Sequence, residues 1–464
     1  MKDTKSSDTF SGKIRVPGAD DPKNALEVFK IQYENFKSLK KINRVPKQTE
    51  VLVIGGGIIG SFIAYWIKQQ SPSLNVTVIE KDSNYSKSST FWSLGGFRQQ
   101  FSLPENIKMS LFGAEFMQNS HELLKCEKNY KVDLQFNHDG YLFLASTKTA
   151  DQLYHNHRIQ LAHKARVQLL NKEELKQKFK WINPEGIELA SFGYQNEGWV
   201  DARKFLLAVR NKANFLGAEY VNGEVISFEN DANDQLLLDQ SVKTIKTALV
   251  DTLDGKLVPI KFQTVVNAAG PWAGEISKLA SESLGSVKSQ MSDLPVEPRK
   301  RYIFMFYAEN GPILNVPLTI DQSGVFFRRQ GLSNYYFCGL NQSPDKEPKD
   351  LDLEKIDFEY FEKEIKPVLI HRVPAFKDLK LINAWAGYYD YNTLDQNLII
   401  GKHPIQRNFI FANGSSGHGL QHSAAIGRAV SELIIHDSYQ TIDLKRFGFE
   451  RVLRNQPLKE IDVV

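Results

Sequence analysis

A chain of 464 residues with 42% hydrophobic side chains has the length for two or three domains and the apolar content for a large core. Its net charge of +4 is too slight to argue for nucleic acid. Its two cysteines, Cys126 and Cys338, lie too far apart to read as a metal or redox pair, which suits a reducing compartment.

Residues 1–22 are polar and mixed in charge and read as disordered; Asp3, Asp8, Asp20 and Asp21 argue against an arginine-rich mitochondrial presequence. Leu26, Phe29, Phe36 and Leu39 recur near helical spacing, so a helix is expected over 23–44, docked on the body, with a partner-binding or membrane-surface helix as the alternative.

The next stretch is the most informative. Val51 to Ile54 is a β-branched, apolar run bounded by glycine, the pattern of a buried strand. Gly55-Gly56-Gly57-Ile58-Ile59-Gly60 then opens a helix, and Asn75 to Ile79 is a second strand ending at Glu80 and Lys81. Gly55 permits a sharp turn, Gly57 leaves room for a pyrophosphate, and Gly60 lets the helix pack closely on the strand. The helix amino terminus carries roughly half a positive charge and unpaired N–H groups, which suits phosphate. Glu80 is placed to accept from ribose hydroxyls and disfavours a 2′-phosphate, which argues against NADP. Residues 51–67 score as a membrane span, but three successive glycines fit a strand-turn-helix instead. Four N-x-S/T matches occur, of which Asn75 and Asn413 fall in this scaffold and read as accidental.

Small hydroxyl residues and glycines (Ser88, Ser89, Thr90, Ser93, Gly95, Gly96) crowd the loop YSKSSTFWSLGGFRQQFSLPEN, as a backbone passing close beneath a planar ligand requires. Arg98 follows directly, facing a ligand or serving a structural ion pair. A helix over 105–124 puts Ile107, Leu111, Phe112 and Phe116 on one face. From about residue 130 the pattern becomes an insertion with its own sheet: strands at VDLQF, GYLFLAS and IELASFGYQ, helices over 148–165 and 172–180. EGWVDARKF then leads a helix over 202–215 through Gly217 into a strand ending at GEVISFE, where Val225 would offer its backbone to an adenine edge if that strand lies beside the first. A buried strand over 261–267 turns tightly at Ala268-Ala269-Gly270, with Trp272, into another helix.

PVEPRKRYIFMF, GVFFRRQG and NYYFCGL alternate as adjacent antiparallel strands. Arg299, Lys300, Arg301, Arg328 and Arg329 cluster there as strand-edge charges or carboxylate ligands; side-chain alternation lets only one of Arg328 and Arg329 look inward. Last come a strand, a glycine-rich loop (Gly414, Gly417, His418, Gly419) and a helix beginning near Gln421, after Leu420. His418 and His422 have helical metal spacing but no third ligand, so no metal is expected. GSSG lacks the spacing of a hydrolase nucleophile elbow.

The Rossmann fingerprint, the serine- and glycine-rich loop, GWVD, VVNAAGPW, WAGYYDYNTLDQNLIIG and GSSGHGLQ together resemble the FAD-dependent amino-acid oxidase superfamily, on its sarcosine and dimethylglycine dehydrogenase side, over residues 48 to about 440. STFWSLGGFRQQFSLPEN, LPVEPRKRY and GHGLQ resemble more narrowly a mitochondrial branch linked to assembly of respiratory complex I. The resemblance implies an α/β protein in which a Rossmann-like FAD-binding domain (48–125, 197–294, 400–464) is interleaved with an antiparallel-sheet substrate domain (126–196, 295–399), preceded by the extension 1–47. It implies oxidation of a C–N bond in an amino-acid-like or N-methyl amine substrate, with Arg98 and Arg328 or Arg329 on a carboxylate, Tyr389 lining the pocket, and His418 beside the isoalloxazine. The late helix amino terminus would face the flavin N1 and O2 edge. Trp92 stands where the dimethylglycine and sarcosine dehydrogenases carry a flavin-linked histidine, and Gly387 near where monomeric sarcosine oxidases carry a flavin-linked cysteine. FAD is therefore expected to be non-covalent. Gln421 replaces a lysine that promotes reaction with oxygen, so a dehydrogenase is expected over an oxidase. The narrower resemblance implies the mitochondrial matrix, possible association with the inner membrane, and partners among complex I subunits or assembly intermediates. Its alternative is an FAD-stabilised assembly factor with little turnover, and an NAD-dependent dehydrogenase is the third option.

Overall fold

The computed structural model describes residues 45–127, 132–230, 244–283, 293–341 and 347–461; the segment 1–22 and the helix expected over 23–44 lie outside the described residues. Strand β1 (Gln48–Ile54) is buried at every position from Val51 to Ile54. It leads through the glycine turn into α1 (Ile58–Gln70), and β2 (Val76–Glu80) returns parallel to it, from Val51↔Val76 to Ile54↔Ile79. Asn75 lies exposed on the connecting turn, so burial does not bar a glycan there, whereas Asn413 is wholly buried.

Next follow β3 (Gly96–Phe97) and α2 (Pro104–Gln118). The helix expected over 105–124 breaks at Asn119, whose side chain donates to Glu115 O at 2.9 Å, and resumes as one turn, Ser120–Leu123. VDLQF is not a strand: Gln135 takes φ +52°, and among the described residues nearby the pairing is a bridge from Asn137 to Trp199. The insertion's strands are β4 (Tyr141–Ala145), β5 (Val167–Asn171) and β6 (Leu189–Gly193), with α3 (Ala150–Ala162) and α4 (Lys172–Lys178) between them. α4 starts on a capping box formed by Asn171 and Glu174.

After β7 (Gly198–Trp199), Asp201 Oδ1 accepts from Arg203 N and Lys204 N, both at 3.0 Å, and starts α5 (Ala202–Phe215). GEVISFE belongs to the second of two short strands, β8 (Glu219–Asn222) and β9 (Glu224–Asn230); β8 pairs β2, whereas β9 pairs β10 (Ile245–Asp251). Val225 therefore does not lie on a neighbour of β1, as the adenine argument required. β11 (Leu257–Asn267), α6 (Ala273–Glu282), β12 (Val296–Tyr307), β13 (Leu318–Ile320), β14 (Val325–Arg329) and β15 (Tyr335–Leu340) come next. Then come α7 (Lys366–Arg372), β16 (Lys380–Asn392), β17 (Ile399–Lys402), β18 (Phe409–Asn413) and α8 (Gly419–His436), followed by short turns at Lys445–Phe447 and Glu450–Leu453.

Two eight-stranded sheets result. One runs β17-β18-β11-β1-β2-β8, with β10 and β9 attached through β11; the other runs β16-β12-β15-β14-β13-β4-β6-β5. The expected antiparallel neighbours β12, β15 and β14 stand side by side. α1 is buried between the first sheet and three helices: Phe62 meets Phe116 of α2 at 4.9 Å and Phe205 of α5 at 5.5 Å edge-on, and Trp66 Nε1 donates to Ala424 O of α8 at 2.9 Å. Truncating Phe62 would cost about 3–5 kcal/mol. Rigid packing of this kind holds the amino termini of α1 and α8 in place.

Candidate active site

One cavity of about 890 Å³ runs from the carboxyl ends of β1 and β2 to the face of the second sheet. At its first end the main chain does the work. Gly55 takes φ +101° and a Cβ there would lie 2.3 Å from Ala268 O, while a Cβ on Gly60 would lie 1.9 Å from Gly55 O; both positions demand glycine. A Cβ on Gly57 would meet nothing nearer than Thr90 Oγ1 at 3.8 Å, which leaves open space in front of the α1 amino terminus. Glu80 Oε2 accepts from Gly56 N and Oε1 from Asp82 N, each at 2.8 Å. Burial raises its pKa, opposed by those N–H groups and Arg210. The carboxylate thus shapes the glycine turn as well as lining the cavity. Ser89 Oγ is buried without a partner beside it.

At the other end side chains take over. Arg98 is 4% exposed; its backbone N–H donates to Gln421 Oε1 at 2.8 Å and its Nη2 donates to His418 Nε2 at 2.9 Å. Because a guanidinium has no acceptor, His418 Nε2 must be unprotonated, so the ring is the neutral Nδ1–H tautomer. Burial, reinforced by Arg98 and His422, holds the His418 pKa well below its ordinary value. The guanidinium stands 4.6 Å from the Phe101 ring, 5.0 Å from Phe143 and 5.9 Å from Tyr141, an aromatic box that accepts a cation. Among the described residues it has no carboxylate in salt-bridge range. Burial pushes the Tyr141 phenol up to about 12 despite Arg98.

The loop before α8 is fixed by Asp390, which accepts from Ser415 N at 2.7 Å and Ser415 Oγ at 2.8 Å. His418 is the residue at the α8 amino terminus, so the free N–H groups of that helix open into the cavity between Gly417 and Gln421. Beside it stands Tyr389, with Arg301 5.1 Å from its ring. Arg301 pairs with Glu347, which also takes Arg299 Nη1 at 2.8 Å. The segment around Leu458 closes this end: Glu460 accepts from Ser102 N at 2.6 Å, Asn106 Nδ2 at 2.5 Å and Leu103 N at 3.2 Å, tying it to the chain just before α2.

Of the residues picked from sequence, Gly55, Gly57, Ile58, Ile59, Glu80, Lys81, Ser88, Ser89, Thr90, Ser93, Gly96, Arg98, Val225, Ala268, Ala269, Gly270, Trp272, Tyr389 and Gly417 through Gln421 line the cavity. Gly56, Gly60, Gly95 and Gly414 are not among the lining residues. Val225 reaches the cavity from β9 despite the altered strand order. Arg328 is a correction. It is buried outside the cavity, its Nε donating to Leu94 O at 3.0 Å and its Nη1 to Gln330 Oε1 at 2.7 Å, with Phe337 and Trp199 at 4.7 and 5.4 Å. Arg329 is also buried, its Nε donating to Ser333 O at 2.9 Å, so neither lines the cavity and alternation did not turn one of them into it. Tyr141, Arg301 and Glu460 enter instead. Tyr141 heads a recognisable strand and Arg301 belongs to the basic cluster, whereas Glu460 carries no sequence signal. Among the described residues no group of three His, Cys, Asp or Glu side chains is placed to hold a metal ion, and no helix is long and apolar enough to cross a membrane.

Two helix amino termini, an unpartnered hydroxyl and the space before Gly57 fit an extended dinucleotide with a planar headgroup. The fold is that of the amino-acid oxidases and dehydrogenases. The solved L-proline dehydrogenase from P. horikoshii is similar at a TM-score of 0.74 and 25% identity, covering 89% of this chain and 100% of that one. Glycine oxidase from Geobacillus kaustophilus is similar at a TM-score of 0.70 and 21% identity, covering 87% and 98%. The model of the family described as FAD dependent oxidoreductase matches residues 50–433, and the chain belongs to that family. FAD-dependent oxidoreductase domain-containing protein 1 of Xenopus laevis is 43% identical over 429 residues, covering 90% of this chain and 85% of the relative; the mouse protein of that name is 41% identical over 431 residues, covering 90% and 88%.

Proposed function

We propose that the chain is a dehydrogenase that oxidises the C–N bond of a small amino acid or N-methyl amino acid, with non-covalent FAD. The observation that carries this reading is Arg98, a buried guanidinium that lines the cavity next to the α8 amino terminus, has one ring-nitrogen acceptor and pairs with no carboxylate among the described residues. A ligand carboxylate completes its hydrogen bonds. The α1 amino terminus, Thr90 and Ser89 would hold the pyrophosphate, Glu80 the ribose, and the α8 amino terminus the headgroup edge where negative charge gathers. FAD bound there supplies the acceptor for the hydride equivalent. The protein positions the substrate: Arg98 orients the carboxylate, Tyr141, Phe101 and Phe143 keep water from that ion pair, and neutral His418 fixes the guanidinium plane.

Gln421 supports the dehydrogenase over the oxidase, because its side chain is an uncharged amide spent on Arg98 N. Neither Cys126 nor Cys338 lines the cavity, and the one lining histidine, His418, is engaged with Arg98, which supports non-covalent binding. Anaerobic titration of the purified protein with a panel of amino acids and N-methyl amino acids tests the activity through loss of flavin absorbance; no bleaching by any of them refutes it. Acid precipitation that leaves the yellow in the pellet refutes non-covalent binding.

The likeness of STFWSLGGFRQQFSLPEN, LPVEPRKRY and GHGLQ to a mitochondrial branch linked to complex I assembly supports a second role, in the mitochondrion, through contacts with complex I subunits or intermediates. That role survives loss of turnover. Co-purification of a Gly57→Val protein with such intermediates supports scaffolding without flavin; its loss ties the role to the cofactor.

A further inference from the structure

Glu197 lies in the EGWVD stretch, is 1% exposed, and is absent from the cavity wall. Its Oε1 accepts from Gln99 N at 2.8 Å and its Oε2 from Gln100 Nε2 at 2.9 Å; that same Gln100 nitrogen donates to Tyr141 O at 3.1 Å. Both bonds clamp the two residues that follow Arg98 and tie them to the strand that carries Tyr141. The carboxyl packs against Gly193, where a Cβ would lie only 2.0 Å from it, so only a glycine there leaves it room. Arg98 is the charged group that acts on it. A buried cation and a buried carboxyl thus share a short turn without a direct ion pair, with the cavity on the far side of the cation.

We propose that Glu197 is the positioning residue of Arg98 and, once ionised in alkaline solution, its counter-charge in the empty site, so that an anionic ligand arriving at Arg98 there is bound together with a proton taken up by Glu197. The reason is competition: two carboxylates cannot both draw on one buried guanidinium without repelling each other. The inference rests on the reading of Arg98 as the carboxylate site. Burial lifts the Glu197 pKa to about 8, against its two amide bonds and Arg98, and a ligand carboxylate lifts it further. Anion affinity is therefore fully present below about pH 8 and is lost as the pH rises, by up to about tenfold per unit. The other groups around Arg98 are Tyr141 from β4, Tyr389 from β16, Glu460, and His418 with His422 from α8. Tyr141 is held at about 12, and the two histidines are held low, His422 at about 3, so none of these three titrates in that window.

The test is acetate binding to the FAD-loaded protein, followed by the flavin spectrum from about pH 6 to about pH 10. Wild type should bind with constant affinity at the low end and lose it above about pH 8, whereas Glu197→Gln, which keeps an acceptor for Gln99 N, should bind with no such slope. Calorimetry on the wild type near pH 8.5 in buffers of different ionisation enthalpy should show uptake of about half a proton or more, and this readout stands even if the variant does not fold. A flat wild-type profile, an unchanged slope in Glu197→Gln, or no proton uptake overturns the proposal. If acetate leaves the flavin unperturbed at every pH, the carboxylate reading of Arg98 falls first and this inference falls with it.

Discussion

The two ends of the cavity are built by different means. Between Gly55 and Glu80 the ligand surface is mostly main chain: a left-handed glycine, the amino terminus of α1, and a carboxylate that folds back on Gly56 N. Around Arg98 the surface is side chains drawn from β4, β16, α8 and the segment at Glu460, each tied to another before any ligand arrives. Main-chain recognition tolerates change in the residues beside it and fails abruptly when a Cβ intrudes. Side-chain recognition is graded, because each contact can be weakened by itself.

Breaking the main-chain end gives the largest effect. Gly57→Val fills the space before α1, and we expect FAD affinity to fall at least about a hundredfold, roughly 3 kcal/mol, with the far-ultraviolet circular dichroism unchanged. Titration of the apoprotein with FAD checks it. Breaking the side-chain end comes next: Arg98→Met should leave FAD bound and lower kcat/KM for flavin reduction by about a hundredfold or more, since the carboxylate loses its charged partner. Arg328→Met separates the two roles an arginine can play. Burial lowers the Arg328 pKa to about 9, and it does not line the cavity, so stability should change by up to about 3 kcal/mol in thermal melts while KM moves by less than about threefold. Glu460→Ala removes the carboxylate from Ser102, Leu103 and Asn106 and should cost about 1–2 kcal/mol of stability. The smallest effect belongs to Lys81→Ala, an exposed pair with Glu224, where less than about 1 kcal/mol is at stake and FAD affinity should hold within a few fold.

The same contrast governs what could be read from residues alone. The glycine turn was legible because its parts are local and each glycine answers a steric demand: Gly60 against Gly55 O, Gly55 against Ala268 O. A helix starting at Ala202, and β12, β15 and β14 as neighbours, were legible from the sequence pattern and from alternation. Arg328 was misread because alternation tells which side a residue takes but not whether protein covers that side. VDLQF has strand composition but bends at Gln135. The condition set for Val225, a strand beside the first, fails because the chain leaves β2 for β10 across Gly223, within a single residue. Nothing local to Glu460 marks it, since its partners lie more than three hundred residues earlier in the chain.

The turn at Gly55 leans on Ala268, and β1 has one neighbour close behind it and the other only at Leu257–Asn267. During translation the phosphate cradle therefore lacks a wall until the ribosome has passed that strand, and the headgroup end waits longer, for α8. Cofactor loading should accordingly follow synthesis, and nascent chains stalled before Ala268 should emerge without flavin and depend on chaperones to keep β1 from pairing elsewhere.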